Sequence, residues 1–270
     1  MRLLLFGLLV LVTSSASFAA DSQLKRLDTK EESKGWEGVG RLDLDGAGFC
    51  TGALVAPDLV LTAAHCLFDK FTKERIPLEG IEFLAGWRNG QASAYRNIRR
   101  AVVHPDYEFD AGASPSRVRN DVALLELTLP IRNTQVEPFE TAPRPRKGSQ
   151  IGVVSYARAR EQAPSLQEVC AVMARQQGVL VMSCNVDFGS SGAPVFVFDG
   201  DKPRIVSVVS AKAEVRGQKV ALGTSLTGPM EVLYQMLQAG AGYDVPPAPL
   251  SQRQTVGGKR RDTGAKFLKP

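Results

Sequence analysis

Cys184-Asn185-Val186-Asp187-Phe188-Gly189-Ser190-Ser191-Gly192-Ala193-Pro194-Val195 sets two serines in a glycine-rich turn between a cysteine and a short apolar run. Two stretches far upstream give that turn its meaning. Cys50-Thr51-Gly52-Ala53-Leu54-Val55 leads into Leu61-Thr62-Ala63-Ala64-His65-Cys66, and Asn120-Asp121-Val122-Ala123-Leu124-Leu125 follows later. A serine hydroxyl is a weak nucleophile until a base removes its proton. An imidazole can take that proton and return it to a leaving amine. A carboxylate beside the ring holds its tautomer and stabilises its cation. The three stretches offer one residue of each kind.

Their order, His65…Asp121…Ser191, resembles that of trypsin-like (chymotrypsin-fold) serine proteases over roughly residues 36 to 240. The resemblance implies Ser191 as nucleophile, His65 as general base and acid, and Asp121 as the group that orients the ring. Gly189-Ser190-Ser191-Gly192-Ala193-Pro194 fits the family's Gly-x-Ser-Gly-x-Pro pattern with Ser191, not Ser190, in third place. The family then implies an oxyanion hole from the N–H groups of Gly189 and Ser191, and a late-strand serine, Ser210, that helps to hold Asp121. Taken alone, the turn reads equally as a hairpin that happens to contain serines. Asp69, Asp106 and Asp110 are other carboxylates in the same half, but Asp121 alone opens the apolar run Val122-Ala123-Leu124-Leu125-Glu126-Leu127. The second histidine, His104, precedes Pro105, which favours an extended or turn conformation. It is expected to end a strand at the surface in a structural role.

The chain departs from the family in three places. Ser190 stands where the best-known members carry an acid that pairs with a new N-terminus after zymogen cleavage. Trp36-Glu37-Gly38-Val39-Gly40 stands where they begin Ile-Val-Gly-Gly. The segment between Cys184 and Ser191 is short, so Asn185 is not assigned the specificity role. The turn is more similar to that of bacterial, secreted, glutamyl-endopeptidase-like members. Lys212, two residues past Ser210, reads as a solvated surface lysine rather than a rim residue favouring an acidic side chain.

Four cysteines permit three pairings. Cys50 and Cys66 flank two adjacent strands, and a bridge there would pin His65 against the sheet. Cys170 and Cys184 flank two more, just before the serine turn. The resemblance supports this pairing, and each loop of roughly 15 residues would contribute about 3 kcal/mol in the chain-entropy picture. C-x-x-C spacing and clustered histidines are missing, so no metal and no cofactor are expected.

Short strand-like runs dominate from Val39 onward. Six lie at 39–45, 49–55, 58–62, 81–85, 97–103 and 122–127, and six more at 150–156, 167–172, 179–184, 193–198, 204–210 and 219–226. The Pro- and Arg-rich stretch from Thr128 to Gly148 divides them. The expected fold is all-β, with two six-stranded antiparallel β-barrels (36–135 and 136–240), the active site in the cleft between them, and a C-terminal helix. That helix starts near Pro229, and its Val232, Leu233, Met236 and Leu237 should dock on the second half.

Outside the body, Met1-Arg2, the apolar run Leu3 to Val12 and Ser17-Phe18-Ala19 read as a signal peptide over residues 1–19. Export to a secreted or periplasmic location follows. Residues 20–35 read as a flexible leader or propeptide, and 245–270 as a disordered basic tail. The tail holds six cations against Asp262, which is the whole of the chain's net +5. A neutral body argues against nucleic acid as a partner, and no later apolar run is long enough for a membrane span. The expected activity is that of a monomeric serine endopeptidase acting on protein or peptide substrates. The alternatives are a secreted pseudoprotease, or a surface-binding module that uses the cleft or the tail.

Overall fold

The computed structural model describes residues 21–46, 48–109, 114–200 and 202–245. The expected signal segment, Asp110 and the tail from Pro246 lie outside them. In chain order the elements are β1 (Lys25–Arg26), α1 (Lys30–Ser33), β2 (Val39–Leu44), β3 (Phe49–Ala56), β4 (Leu59–Thr62), β5 (Ile81–Ala85), β6 (Ala94–Val103), α2 (Pro115–Asn120) and β7 (Ala123–Leu127). There follow β8 (Gln150–Ser155), β9 (Ser165–Gln176), β10 (Val179–Met182), β11 (Pro194–Val197), β12 (Arg204–Val215), β13 (Gln218–Ser225), α3 (Pro229–Gln238) and β14 (Tyr243–Asp244).

Strands β2 to β7 close into one six-stranded antiparallel barrel and β8 to β13 into a second, as expected. Both barrels use the same order: first, second and third strands, then sixth, fifth and fourth, with the fourth returning to the first. Closure pairs every strand on both sides and leaves few free edges. The longest departures from the expected strands are in the second barrel. There β9 reaches Gln176 and β12 reaches Val215, well beyond Ser210. The β12–β13 ladder persists until Val215 pairs with Gln218 across Arg216-Gly217, both at positive φ. Such a two-residue turn matches the strand twist, so a polar, half-solvated ribbon continues where the apolar signal stops.

Three apolar clusters hold the body together. One fills the first barrel around Leu42, Leu54, Phe83 and Leu125. Another fills the second around Ile151, Leu180, Met182 and Val206. The third lies between them and joins Val39, Leu61 and Leu124 to Tyr156, Phe196 and Val208. Met230 and Leu233 of α3 belong to this third cluster. The expected docking of α3 on the second half is therefore corrected: it packs at the seam and against β6 of the first barrel, where Arg100 Nη2 donates to Leu237 O.

Residues 21–35 are not a free leader. β1 pairs with β9 of the second barrel, and Leu27 is 1% exposed within the inter-barrel cluster. The Ser22 N–H donates to Val169 O at 2.8 Å, and the Val169 N–H returns to Ser22 Oγ at 2.8 Å. Thr29 and Glu32 form a capping box on α1. Most of the charged side chains that suggested flexibility are exposed, while the backbone, Leu27 and the hydroxyls of Ser22 and Ser33 do the docking. At the other end β14 adds to β6 of the first barrel. Each end of the body is thus strapped to the barrel farther from it in sequence.

His104, expected at the surface, is buried, at 7% exposed. Its Nδ1 accepts from the Asp106 N–H at 3.3 Å. Burial holds its pKa below the ordinary imidazole value, with the nearby Asp106 charge opposing. The unfolded chain takes up this proton near the ordinary value of about 6.5 and the folded chain only at lower pH. Stability present above that value is lost as pH falls through the folded one. Urea denaturation from about pH 7 to about pH 5 should therefore show a decline that is shallower in His104→Gln. An equal decline in the variant would assign the loss to other groups.

Candidate active site

His65 sits in a single 3₁₀ turn, Ala64–Leu67, directly after β4. Cys66 in the same turn is bridged to Cys50 on β3, so the turn is covalently held to the sheet. Asp121 follows α2 and precedes β7, and is 2% exposed. Its carboxylate is met from three directions. The His65 backbone N–H donates to Oδ1 at 2.9 Å, and His65 Nδ1 lies 2.7 Å from Oδ2. Ser210 Oγ, on β12 of the second barrel, donates to Oδ2 at 2.5 Å. A buried carboxylate beside Nδ1 requires the proton there, which leaves Nε2 as an acceptor. Thr224 Oγ1 on β13 donates to Val118 O at 2.5 Å and lies 3.1 Å from the Asp121 carbonyl, which ties the end of α2 to the second barrel.

The serine turn is held in the same manner. Cys184 is bridged to Cys170 on β9. The N–H groups of Ser190, Gly192 and Ala193 are committed to the carbonyls of Asp187, Val209 and Ser190. Those of Gly189 and Ser191, the two expected oxyanion donors, have no protein acceptor among the described residues. Gly189 (φ +96°) and Gly192 (φ +75°) both adopt left-handed backbone. Neither has room for a side chain: a Cβ would come 2.3 Å from the Phe49 ring at Gly189 and 2.2 Å from Thr62 Oγ1 at Gly192.

The two serines of the turn are separated by burial. Ser190 is fully buried, and its hydroxyl lies 3.2 Å from Ser155 Oγ and 3.3 Å from Tyr156 O. Ser191 instead lines the inter-barrel cleft together with His65. Among the described residues no hydrogen bond joins the Ser191 hydroxyl to the imidazole. Such contacts commonly tighten only once substrate is bound.

A sequence profile of the Trypsin family matches residues 29–225. The chain belongs to the trypsin family. Among curated proteins it is 29% identical to mast cell protease 3 of Ovis aries over 183 residues, which is 65% of this chain and 68% of that one. It is 32% identical to a trypsin of Phaedon cochleariae over 92 residues, or 33% of this chain and 32% of that one. Mannan-binding lectin serine protease 1 of Homo sapiens is 28% identical over 42% of this chain and only 17% of its own length. A solved structure, that of a Glu endopeptidase in complex with MPD, superposes with a TM-score of 0.66 at 18% identity, covering 82% of this chain and 99% of that one. It confirms the two-barrel fold.

One residue important to this trypsin-family site was missed in the sequence reading. Thr51 on β3 is fully buried, and all its polar groups are engaged. Its N–H donates to Ser191 O and its Oγ1 to Gly189 O, both at 2.9 Å. The same Oγ1 accepts the Tyr156 N–H at 3.1 Å, and Thr51 O accepts from Thr62 Oγ1 at 2.9 Å. A strand of the first barrel thus holds the serine turn of the second. The available signal was a lone hydroxyl in an otherwise apolar strand.

The cleft encloses about 830 Å3 and is lined by Phe49, Phe68, Phe71, Phe109 and Phe188. Lys212 also reaches it: the expected solvated surface lysine is corrected, since its half-exposed side chain lines the cleft. Its Nζ lies 2.6 Å from Asp187 Oδ1 and 4.1 Å from the centre of the Phe188 ring. The Lys212 hydrogen bond, aided by the Phe188 N–H, holds the Asp187 carboxyl below its ordinary range. The lysine charge is therefore already matched within the protein. Asn185 is exposed and does not line the cleft. Cys50, His65 and Cys66 lie close enough to suggest a metal site. The two cysteines are joined as a disulfide and offer no thiolate.

Thr51→Val keeps the shape and removes the hydroxyl. It leaves the Gly189 carbonyl and the Tyr156 N–H unpaired in a buried place, which costs about 1–3 kcal/mol for each group. Urea denaturation should show a loss of at least the lower figure. A stability equal to the wild type would mean that the hydroxyl does not tie the turn.

Proposed function

We propose that the chain is a secreted serine endopeptidase of the bacterial, glutamyl-endopeptidase-like kind, with Ser191, His65 and Asp121 as its triad. The observation that carries this reading is the two-point hold of Asp121 on His65, braced by Ser210 from the opposite barrel. It presents Nε2 as an acceptor in the cleft that Ser191 lines. His65 Nε2 takes the Ser191 proton as Oγ attacks the scissile carbonyl. The resulting oxyanion is stabilised by the Gly189 and Ser191 N–H groups. His65 then delivers the proton to the leaving amine, which departs and leaves an acyl-enzyme. Water attacks the ester, its proton passes through His65, and Ser191 is regenerated. No cofactor enters any step. The N-terminal signal pattern and the two disulfides support an exported location. Among the described residues no helix is long and apolar enough to cross a membrane.

Covalent labelling by a fluorophosphonate separates this reading from a pseudoprotease that merely binds through the cleft. Wild-type protein should label and cleave a denatured protein substrate. Ser191→Ala should lose both, and Ser190→Ala should still label, because its hydroxyl is buried against Ser155 and Tyr156. Asp121→Asn favours the wrong tautomer and should cut turnover by about 10⁴. Labelling that survives in Ser191→Ala would remove Ser191 from the role.

The reading extends to activation. Ser190 puts a neutral hydroxyl, already hydrogen-bonded, where the best-known members bury an ion pair. An ammonium drawn in there would be an unpaired buried charge, costing several kcal/mol. The Gly35 N–H is held by Glu37 Oε2 at 2.7 Å, and Trp36 packs on Phe139 and Phe196 in an uninterrupted chain. The enzyme therefore works with residues 20–35 in place. Protein beginning at Ala20 should be active, and protein beginning at Trp36 should melt at a lower temperature and gain no activity. Activity that emerges only after cleavage before Trp36 would refute this.

A further inference from the structure

Apart from the active-site cleft, the end of α2, the β9–β10 hairpin and the turn into α3 enclose a depression of about 590 Å3. Three elements each bring an arginine to its wall: Arg119 from α2, Arg144 from the Pro-rich connection between the barrels, and Arg175 from β9. No carboxylate lines it. Among the described residues none of these guanidinium groups forms an ion pair, and Arg119 has only a 3.5 Å contact with Ser116 Oγ of its own helix. Some other arginines are ion-paired, Arg41 with Asp43, Arg99 and Arg100 with Glu126, and Arg204 with Asp199, while Arg96 and Arg160 donate to neutral carbonyl and hydroxyl oxygens. General basicity does not explain the cluster, because the chain before Val245 carries as many acids as cations. The charge has been gathered here. The N-terminus of α3 opens on the same wall at Gly228 and Pro229 with no side-chain cap, which adds the positive end of a ten-residue helix. The hydroxyl-bearing Ser225 and Thr227 and the amide of Asn120 complete a polar lining.

We propose that this depression binds a phosphate or sulfate ester, at a site separate from the cleft. Planar guanidinium forks match tetrahedral oxyanions two bonds at a time. Three such forks converging from different elements favour a ligand with more than one such group over a single carboxylate. A phosphorylated molecule and a sulfated glycan share this chemistry.

His104 provides a local reporter, since it lines the depression and is one of only two histidines in the chain. The test titrates the full chain with inorganic pyrophosphate and, separately, with a fully sulfated heparin disaccharide, read by calorimetry and by the imidazole NMR signals. Saturable binding should move the His104 resonance and leave that of His65 in place, and the tighter of the two probes identifies the source of the ester. Arg144→Gln/Arg175→Gln should weaken binding by at least about tenfold, since each charge-assisted hydrogen bond is worth that much. Arg119 is left intact because its stem packs on Gly178. The unliganded melting temperature of the double variant checks its fold. Neutralising Lys259, Arg260 and Arg261 in the tail should leave pyrophosphate binding unchanged. The site is refuted if neither probe binds saturably, if the double variant binds as tightly as the wild type, or if the tail variant alone abolishes binding.

Discussion

A buried carboxylate must be satisfied, and in this fold Asp121 draws its partners from almost everywhere. The turn after β4 gives it a backbone amide and a ring nitrogen, and β12 of the other barrel gives a hydroxyl. Leaving a buried polar group without one of its hydrogen-bond partners costs about 1–3 kcal/mol, and more when the group is charged. That cost bears on the relative placement of two barrels, not merely of two side chains. The local sequence has to deliver Asp121 to this spot. A short helix, α2, capped by Ser114 and started by Pro115, ends at Asn120, so that Asp121 is its C-cap, two residues ahead of β7.

The same logic governs the second contact across the seam. Thr51 uses its N–H, its carbonyl and both faces of its hydroxyl to bind the serine turn, Tyr156 and Thr62. Gly189 and Gly192 are glycines because the backbone there is left-handed and because Phe49 and Thr62 occupy the space a side chain would need. Rigidity at the turn therefore comes from both barrels, through Thr51 on one side and the Cys170–Cys184 bridge and Val209 on the other. Strapping β1 onto the second barrel and β14 onto the first adds to the apolar cluster between them. A cleft between two barrels held in this way is pre-organised, which is what a hydrolytic site requires.

Charge is distributed with equal economy. Glu126 is shared by two arginines, and Lys212 is matched by Asp187 at the mouth of the cleft. The cleft wall thus combines phenylalanines with charges of both signs, Asp69, Glu161 and Asp187 among Lys70, Arg117, Arg158 and Lys212. The three arginines beside α3 line a depression that has no carboxylate, on a face that takes no part in the cleft.

Much of this was legible in the sequence because it is local. Twelve short apolar runs bounded by turn residues gave twelve barrel strands, and Gly-Ser-Ser-Gly after Cys184 marked a turn that only glycine can make. The misses share a physical cause. β12 continued beyond Ser210 because a hairpin ladder, not hydrophobicity, carries its outer half. Residues 21–35 read as flexible because their charges are visible in sequence, whereas the strand pairing that docks them is not. His104 read as exposed because a following proline says nothing of what packs above it. The sequence by itself determined which elements form and which chemical groups they carry. Only the tertiary structure decided that Ser190 turns inward while Ser191 meets the cleft, that Thr51 clasps the turn, and that each terminus crosses to the other barrel. Those outcomes depend on contacts between residues far apart in the chain, 35 positions for Ser190 and Ser155 and 138 for Thr51 and Gly189, and no local pattern encodes such a distance.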